Sequence, residues 1–195
     1  MNLPNQLTVS RFVLTGFFLV ALLVPFPLHE TLALILFVAA SITDFFDGSI
    51  ARSRKLITNF GILMDPLADK ILVCSAFIAF VELKWMPAWM VIVIVARELA
   101  ITGLRLLAAA TNLVLAAEGY GKHKTVSQIV CICAILLSMA YPTWGTAAHA
   151  VFETPASYPW IQVVTDASKW AAVALTLISG SIYLRRNRAV YLSDM

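Results

Sequence analysis

Four aspartates carry the clearest chemical signal in this sequence. Asp44 and Asp47 stand in the run Asp44-Phe45-Phe46-Asp47-Gly48-Ser49-Ile50-Ala51-Arg52, and Asp65 and Asp69 in Phe60-Gly61-Ile62-Leu63-Met64-Asp65-Pro66-Leu67-Ala68-Asp69-Lys70. Spacings of three and four residues put each pair on one face of a helix. A short polar connection folds the two runs back as neighbours, so four carboxylates can meet in one pocket. Oxygen ligands with no His or Cys among them select a hard cation, Mg2+ or Mn2+ ahead of zinc. Two such ions side by side serve phosphoryl displacement, clamping phosphate oxygens while one carboxylate takes a proton. Gly48 and Gly61 remove side chains where a nucleotide or diphosphate would approach the backbone. Only Arg52 and Lys70 are close in sequence to neutralise the acids.

The elements that hold these residues are long and apolar. Of 195 residues, 61% are hydrophobic and 13% charged, against about 25% charged in soluble domains. The apolar residues fall into runs covering roughly 7–24, 31–50, 66–81, 86–110, 126–140 and 160–184, each near the ~20 residues that a membrane-crossing helix needs. The expected fold is an all-α integral membrane domain, 1–195, with six transmembrane helices and a short N-terminal interfacial segment over 1–10. The third and fifth runs are short and should extend into flanking residues such as Phe60 and Pro142. A carboxylate at mid-helix in a bilayer costs about 2.5–3.5 kcal/mol, so four acids against two bases call for cations rather than for a structural ion-pair network.

Orientation follows from the basic residues. Arg11, the group Arg52, Arg54 and Lys55, the pair Lys122 and Lys124, and the group Arg185, Arg186 and Arg188 all belong to one side, while the alternate connections hold only Lys84. Both termini and the aspartate-bearing loops are expected to face the cytoplasm from the inner membrane. The net charge of +3 is accounted for by these loops and gives no reason to expect nucleic-acid binding. Cys74, Cys131 and Cys133 lie in apolar runs and read as packing residues; Cys131 and Cys133, two apart, point away from each other and cannot share a metal.

A second polar group interrupts the fourth run. Glu98, Thr102 and Arg105 fall on one helical face with Arg97 beside it, and Lys122, Lys124 and Gln128 open the fifth run. Arginines and lysines converging on a metal site suit a doubly negative phosphate, which Arg grips bidentately. Arg97, Arg105, Lys122 and Lys124 are the candidates for that role. Asp166 and Lys169 are expected to form a local ion pair, and His29 and His149 to lie away from the chemistry. His123 is expected to be solvated, and Trp85, Trp89, Trp144 and Trp160 to line the outer interface.

The aspartate pattern resembles a known family. Asp44-x-x-Asp47-Gly48-x-x-Ala51-Arg52, eight residues to Gly61, three to Asp65 and three to Asp69 match every fixed position of the CDP-alcohol phosphatidyltransferase motif. The resemblance implies about six membrane helices and a homodimer. It implies that Asp44, Asp47 and Asp65 chiefly ligate two metals, and that Asp69 shares in ligation and acts as general base. Gly48, Arg52 and Gly61 would surround the cytidine diphosphate part of the donor, and Thr43, beside the first aspartate, joins them as a candidate donor contact. The run from Leu3 to Arg11, the Arg97–Arg105 segment and the Lys122-x-Lys124-Thr125-x-x-Gln128 pattern are similar to bacterial members that join CDP-diacylglycerol to sn-glycerol 3-phosphate with release of CMP. The alternatives are a sister enzyme for another acceptor, such as a cardiolipin synthase, and a cation transporter. A transporter should spread its acids along a path across the bilayer, whereas these cluster at one end.

Overall fold

In the computed structural model the backbone is described for residues 3–54, 59–110, 120–153 and 160–188, and side chains for 9–43, 70–108, 124–146, 148–153 and 160–188. The described residues form helices α1 (Leu3–Leu23), α2 (His29–Arg54), α3 (Asn59–Glu82), α4 (Ala88–Ala110), α5 (Tyr120–Ala140), α6 (Thr146–Phe152) and α7 (Trp160–Arg186), with a 3-10 turn at Tyr141–Trp144. No strand occurs among them. As expected, α3 begins before Phe60. The apolar run starting at 126 is the greater part of α5, which starts six residues earlier.

The separate interfacial segment expected over 1–10 is not what the backbone forms. Helix α1 is continuous from Leu3, because Pro4 falls in the first turn, where a missing N–H has no partner to lose. The other end of α1 meets Pro25 and Pro27, which cannot continue a helix. Leu28 turns the chain with φ of 60°, and α2 starts at once. Helix α3 ends in the same way, with Lys84 at φ 60° and Trp85 N–H donating back to Phe80 O at 2.9 Å. This is the left-handed helix cap usually given to glycine.

These tight turns stack the helices side by side. Helix α1 packs on α2 and α3, α5 lies against α2, α3 and α7, and α4 bridges α3 and α7. Phe18, Phe37, Phe77, Phe80, Ile94, Ile132, Ile135 and Leu136 are fully enclosed where these helices meet. Phe18 and Phe37 join α1 to α2 with ring centroids 5.6 Å apart.

The outside is as apolar as the inside. Phe17 is 61%, Ile35 58% and Ile92 65% exposed, with Val13, Ile78, Leu99, Val130 and Ile178 exposed beside them. So broad an apolar surface suits lipid rather than water. Among the described residues, the stretches Lys124–Trp144 and Trp160–Arg186 are long and apolar enough to cross a membrane, and shorter apolar stretches occupy Val9–Leu23 and His29–Thr43. The molecule is thus an all-helical protein of the membrane type.

Where both faces of a helix are apolar, buried hydroxyls fix the pairing. Ser138 of α5 and Thr165 of α7 share a hydrogen bond of 2.8 Å, and Thr165 also donates to Ala134 O at 3.2 Å. The segment from Tyr141 to Phe152 is a 3-10 turn followed by α6. Trp144 Nε1 donates to Thr31 Oγ1 at 2.7 Å and Trp160 Nε1 to Val151 O at 2.8 Å. The free cysteines and the Asp166–Lys169 pair at 2.9 Å are as the sequence led one to expect; His29 also lies beside Glu30 and His149 beside Glu153. Thr165→Val, which keeps the shape and strands the Ser138 hydroxyl, should lower unfolding stability in detergent by about 1 kcal/mol, read from thermal unfolding with Ser168→Ala as the reference.

Candidate functional site

Helix α2 runs unbroken through Asp44, Asp47, Gly48 and Arg52 to Arg54, and α3 carries Gly61, Asp65 and Asp69. The helical backbone therefore preserves the three- and four-residue spacings that align each acidic pair on one face. The side chains of these seven residues, and those of Lys122 and His123, lie outside the described residues. Thr43 is described: its hydroxyl donates to Ala39 O at 2.8 Å, which leaves the oxygen lone pairs free to accept. Among the described residues no group of three or more His, Cys, Asp or Glu could hold a metal. The fit of a metal therefore rests on the donor set itself, four carboxylates on two consecutive helices, which is the chemistry of a hard cation site.

One residue beyond Asp69 the described side chains resume, and there they are densely polar. Glu98 of α4 is buried, 4% exposed, and three cations from three helices converge on it. Lys124, in the first turns of α5 and also buried, contacts Glu98 Oε1. Arg97 Nη1 lies 3.4 Å from the same oxygen, and Lys70 of α3 is 3.7 Å from Oε2. Gln128, fully buried on α5, donates to Oε1 at 3.4 Å and to Thr176 of α7 at 3.3 Å. The Thr102 hydroxyl donates to Glu98 O at 2.7 Å, tying off the backbone carbonyl one turn away. Among the described residues, three positive groups thus face one carboxylate.

Arg97 continues the network into α7, with Nη2 donating to Ser179 Oγ at 3.2 Å. Arg105, two turns further along α4, is exposed and engages Tyr183: Nε donates to the phenol oxygen at 3.3 Å and the guanidinium carbon stands 5.4 Å from the ring centroid. The structure thus brings Arg97 and Lys124 together on Glu98, and sets Arg105 on a separate partner.

Sequence reasoning missed the centre of this arrangement. Glu98 was seen to share a face with Thr102 and Arg105 and was given no role. Lys70, read as a counter-charge for the aspartates, also stands beside Glu98. The α7 residues Thr176, Ser179, Gly180 and Tyr183 drew no attention. Their spacing of i, i+3, i+4 and i+7 in an otherwise apolar helix was a legible signal of one polar face.

Fold, motif and basic pocket define a class. The sequence model of the CDP-alcohol phosphatidyltransferase family matches residues 1–178, and the chain belongs to that family of enzymes. Among individual relatives, the chain is 41% identical to a protein of Bacillus subtilis (strain 168) named CDP-diacylglycerol–glycerol-3-phosphate 3-phosphatidyltransferase, over 95% of both chains. It is 32% identical to the protein of the same name from Rickettsia bellii, over 94% of both, and 32% identical to that of Cereibacter sphaeroides, over 99% of this chain and 98% of the relative.

Removing Glu98 from the hub leaves Lys124 buried without its anion, a change that costs about 3–5 kcal/mol where a buried pair is broken. Glu98→Ala should therefore unfold at markedly lower temperature or denaturant. Arg105→Ala, at an exposed position, should shift stability by less than about 1 kcal/mol in the same measurement.

Proposed function

We propose that this chain transfers the phosphatidyl group of CDP-diacylglycerol to sn-glycerol 3-phosphate, yielding phosphatidylglycerol phosphate and CMP. The similarity to relatives named for that reaction supports the choice of donor and acceptor. The single observation that carries the acceptor assignment is the pocket of Lys70, Arg97 and Lys124 around Glu98. Its three cations around one described carboxylate suit a phosphate monoester, and it begins one residue from Asp69. An acceptor without a phosphate would bring those cations no dianion in a site of low dielectric.

In this reading Asp44, Asp47, Asp65 and Asp69 hold two divalent cations, Mg2+ or Mn2+, a donor set that fits them by its chemistry. When bound, these cations supply the positive charge that draws in the donor's diphosphate and stabilises the departing phosphate. Gly48, Gly61, Arg52 and Thr43 line the cytidine diphosphate part of the donor. Arg97 and Lys124, with Lys122 and Arg105 at the approach, hold the acceptor's phosphate and so fix its free primary hydroxyl. Asp69 takes the proton of that hydroxyl as its oxygen attacks the phosphorus bearing diacylglycerol. The bond from that phosphorus to the CMP oxygen breaks, and CMP leaves as an anion.

The same reading takes 1–195 as one domain in which α1–α5 and α7, helices of 21 to 27 residues, are six membrane spans. At 1.5 Å per residue such helices reach about 32–40 Å, enough for the ~30 Å of hydrocarbon. The basic groups around Arg54, Lys124 and Arg186 support an active site facing the cytoplasm from the inner membrane. The family resemblance supports a homodimer among membrane lipids.

Purified protein in detergent, supplied with CDP-diacylglycerol and Mg2+ or Mn2+, should release CMP with glycerol 3-phosphate. It should not do so with serine, inositol phosphate or phosphatidylglycerol, and chelation should abolish release. Release with another acceptor only would sink the substrate assignment. Asp69→Asn should lose turnover, by on the order of 10²-fold or more for a missing general base, while still binding the donor; near-normal activity in that variant would remove Asp69 from the role.

A further inference from the structure

Arg97 reaches the hub because α7 gives way beside it. A Cβ at Gly180 would stand 2.9 Å from Arg97 Cγ and 3.5 Å from Nε. The collision is with the root of the side chain, so the guanidinium could not escape by moving its tip. Gly180 is buried in a helix, and no unusual backbone angle requires a glycine there. Its use is the groove it leaves for Arg97.

The residue before it sets the orientation. Ser179 Oγ accepts from Arg97 Nη2 at 3.2 Å and donates to Thr176 O at 3.2 Å, so the hydroxyl proton is committed and the lone pair faces the guanidinium. Nη1 is turned to Glu98. Nε is buried and has no hydrogen-bond partner among the described residues. Nε and Nη2 form the side-on fork by which arginine grips a phosphate or carboxylate. Here one prong meets a neutral hydroxyl and the other meets no acceptor among the described residues. A buried donor left in that condition is costly unless a ligand completes it.

From this geometry we infer that Ser179 and Gly180 are positioning residues for the phosphate of the acceptor. Gly180 supplies the groove in which Arg97 lies, and Ser179 holds the Nε–Nη2 edge ready for an anionic oxygen. The inference rests on the acceptor assignment above and extends it to α7, a helix carrying none of the motif residues. The ligand class is a phosphate monoester dianion.

The test compares Gly180→Ala and Ser179→Ala with Gly16→Ala, an equal change on α1 where an added Cβ meets nothing within 4 Å. CMP release is followed with acceptor and donor varied separately. The rise in thermal unfolding midpoint on adding inorganic phosphate is recorded in parallel. Gly180→Ala should raise the acceptor KM about tenfold and Ser179→Ala about threefold, with the donor KM within about twofold of the parent. The phosphate-induced midpoint rise should shrink in the same order, and Gly16→Ala should match the parent in both readouts. The inference is overturned if acceptor KM and phosphate response in Gly180→Ala equal those of Gly16→Ala, or if both KM values rise together. Should Gly180→Ala fail to fold, Ser179→Ala decides by the same criteria. Should the parent release no CMP with glycerol 3-phosphate, the activity reading falls and the phosphate response decides alone. A response lost in the α7 variants then upholds the inference; one unchanged by them, or missing from the parent, ends it.

Discussion

The interaction on which the rest depends is a single buried carboxylate shared by three cations. Glu98 draws Lys70 from α3, Arg97 from its own helix and Lys124 from α5, and through Gln128 it reaches α7. A buried ion pair contributes little net stability, since desolvation offsets most of the Coulomb gain. Such a hub is better understood as a constraint: each helix is held at one rotation and one height, because any other leaves a charge unpaired in an apolar interior. The imbalance of the hub is equally informative. Among the described residues one carboxylate faces three cations, a ratio that suits the binding of an anion.

The second constraint is the apolar exterior. With lipid-like side chains on both faces, helices gain little from hydrophobic association and must find each other by packing and polar contacts. The structure supplies these in layers between α5 and α7. Ser138 with Thr165 works at one level and Gln128 with Thr176 at another. The α4–α7 contact then uses Arg97 with Ser179 and Arg105 with Tyr183. The proposed acceptor pocket would thus be built from the bonds that set the helix pairing.

Much of this was legible in the sequence, for identifiable reasons. Long apolar runs give helix existence directly, and their bounds shifted by only a few residues where polar flanks such as Tyr120 or Asn59 continue a helix that hydropathy alone would stop. The segment over 1–10 proved continuous with α1 from Leu3 onward, because proline is at home in a first turn. The aspartates were legible because spacing and residue type together specify a chemistry. The hub was not, because Glu98 takes its meaning from Lys70 and Lys124, 28 and 26 residues away, and periodicity within one helix says nothing about partners on another. Gly180 was harder still: a glycine in an apolar helix becomes significant only when the side chain filling its groove is seen.

The distances along the chain between these partners also describe an order of assembly. Arg97 and Glu98 are neighbours, so α4 carries its own counter-charge as it leaves the ribosome and enters an apolar phase with a pair instead of a bare ion. Lys124 follows with the next long helix. Ser179 and Gly180 arrive near the end of the chain, 82 and 83 residues after Arg97. Until then Arg97 has neither its groove nor the hydroxyl that fixes its edge. The Arg97 pocket is therefore completed only after α7 is made, and a chain cut short before α7 would hold the aspartate motif intact and still lack the groove and hydroxyl that position Arg97.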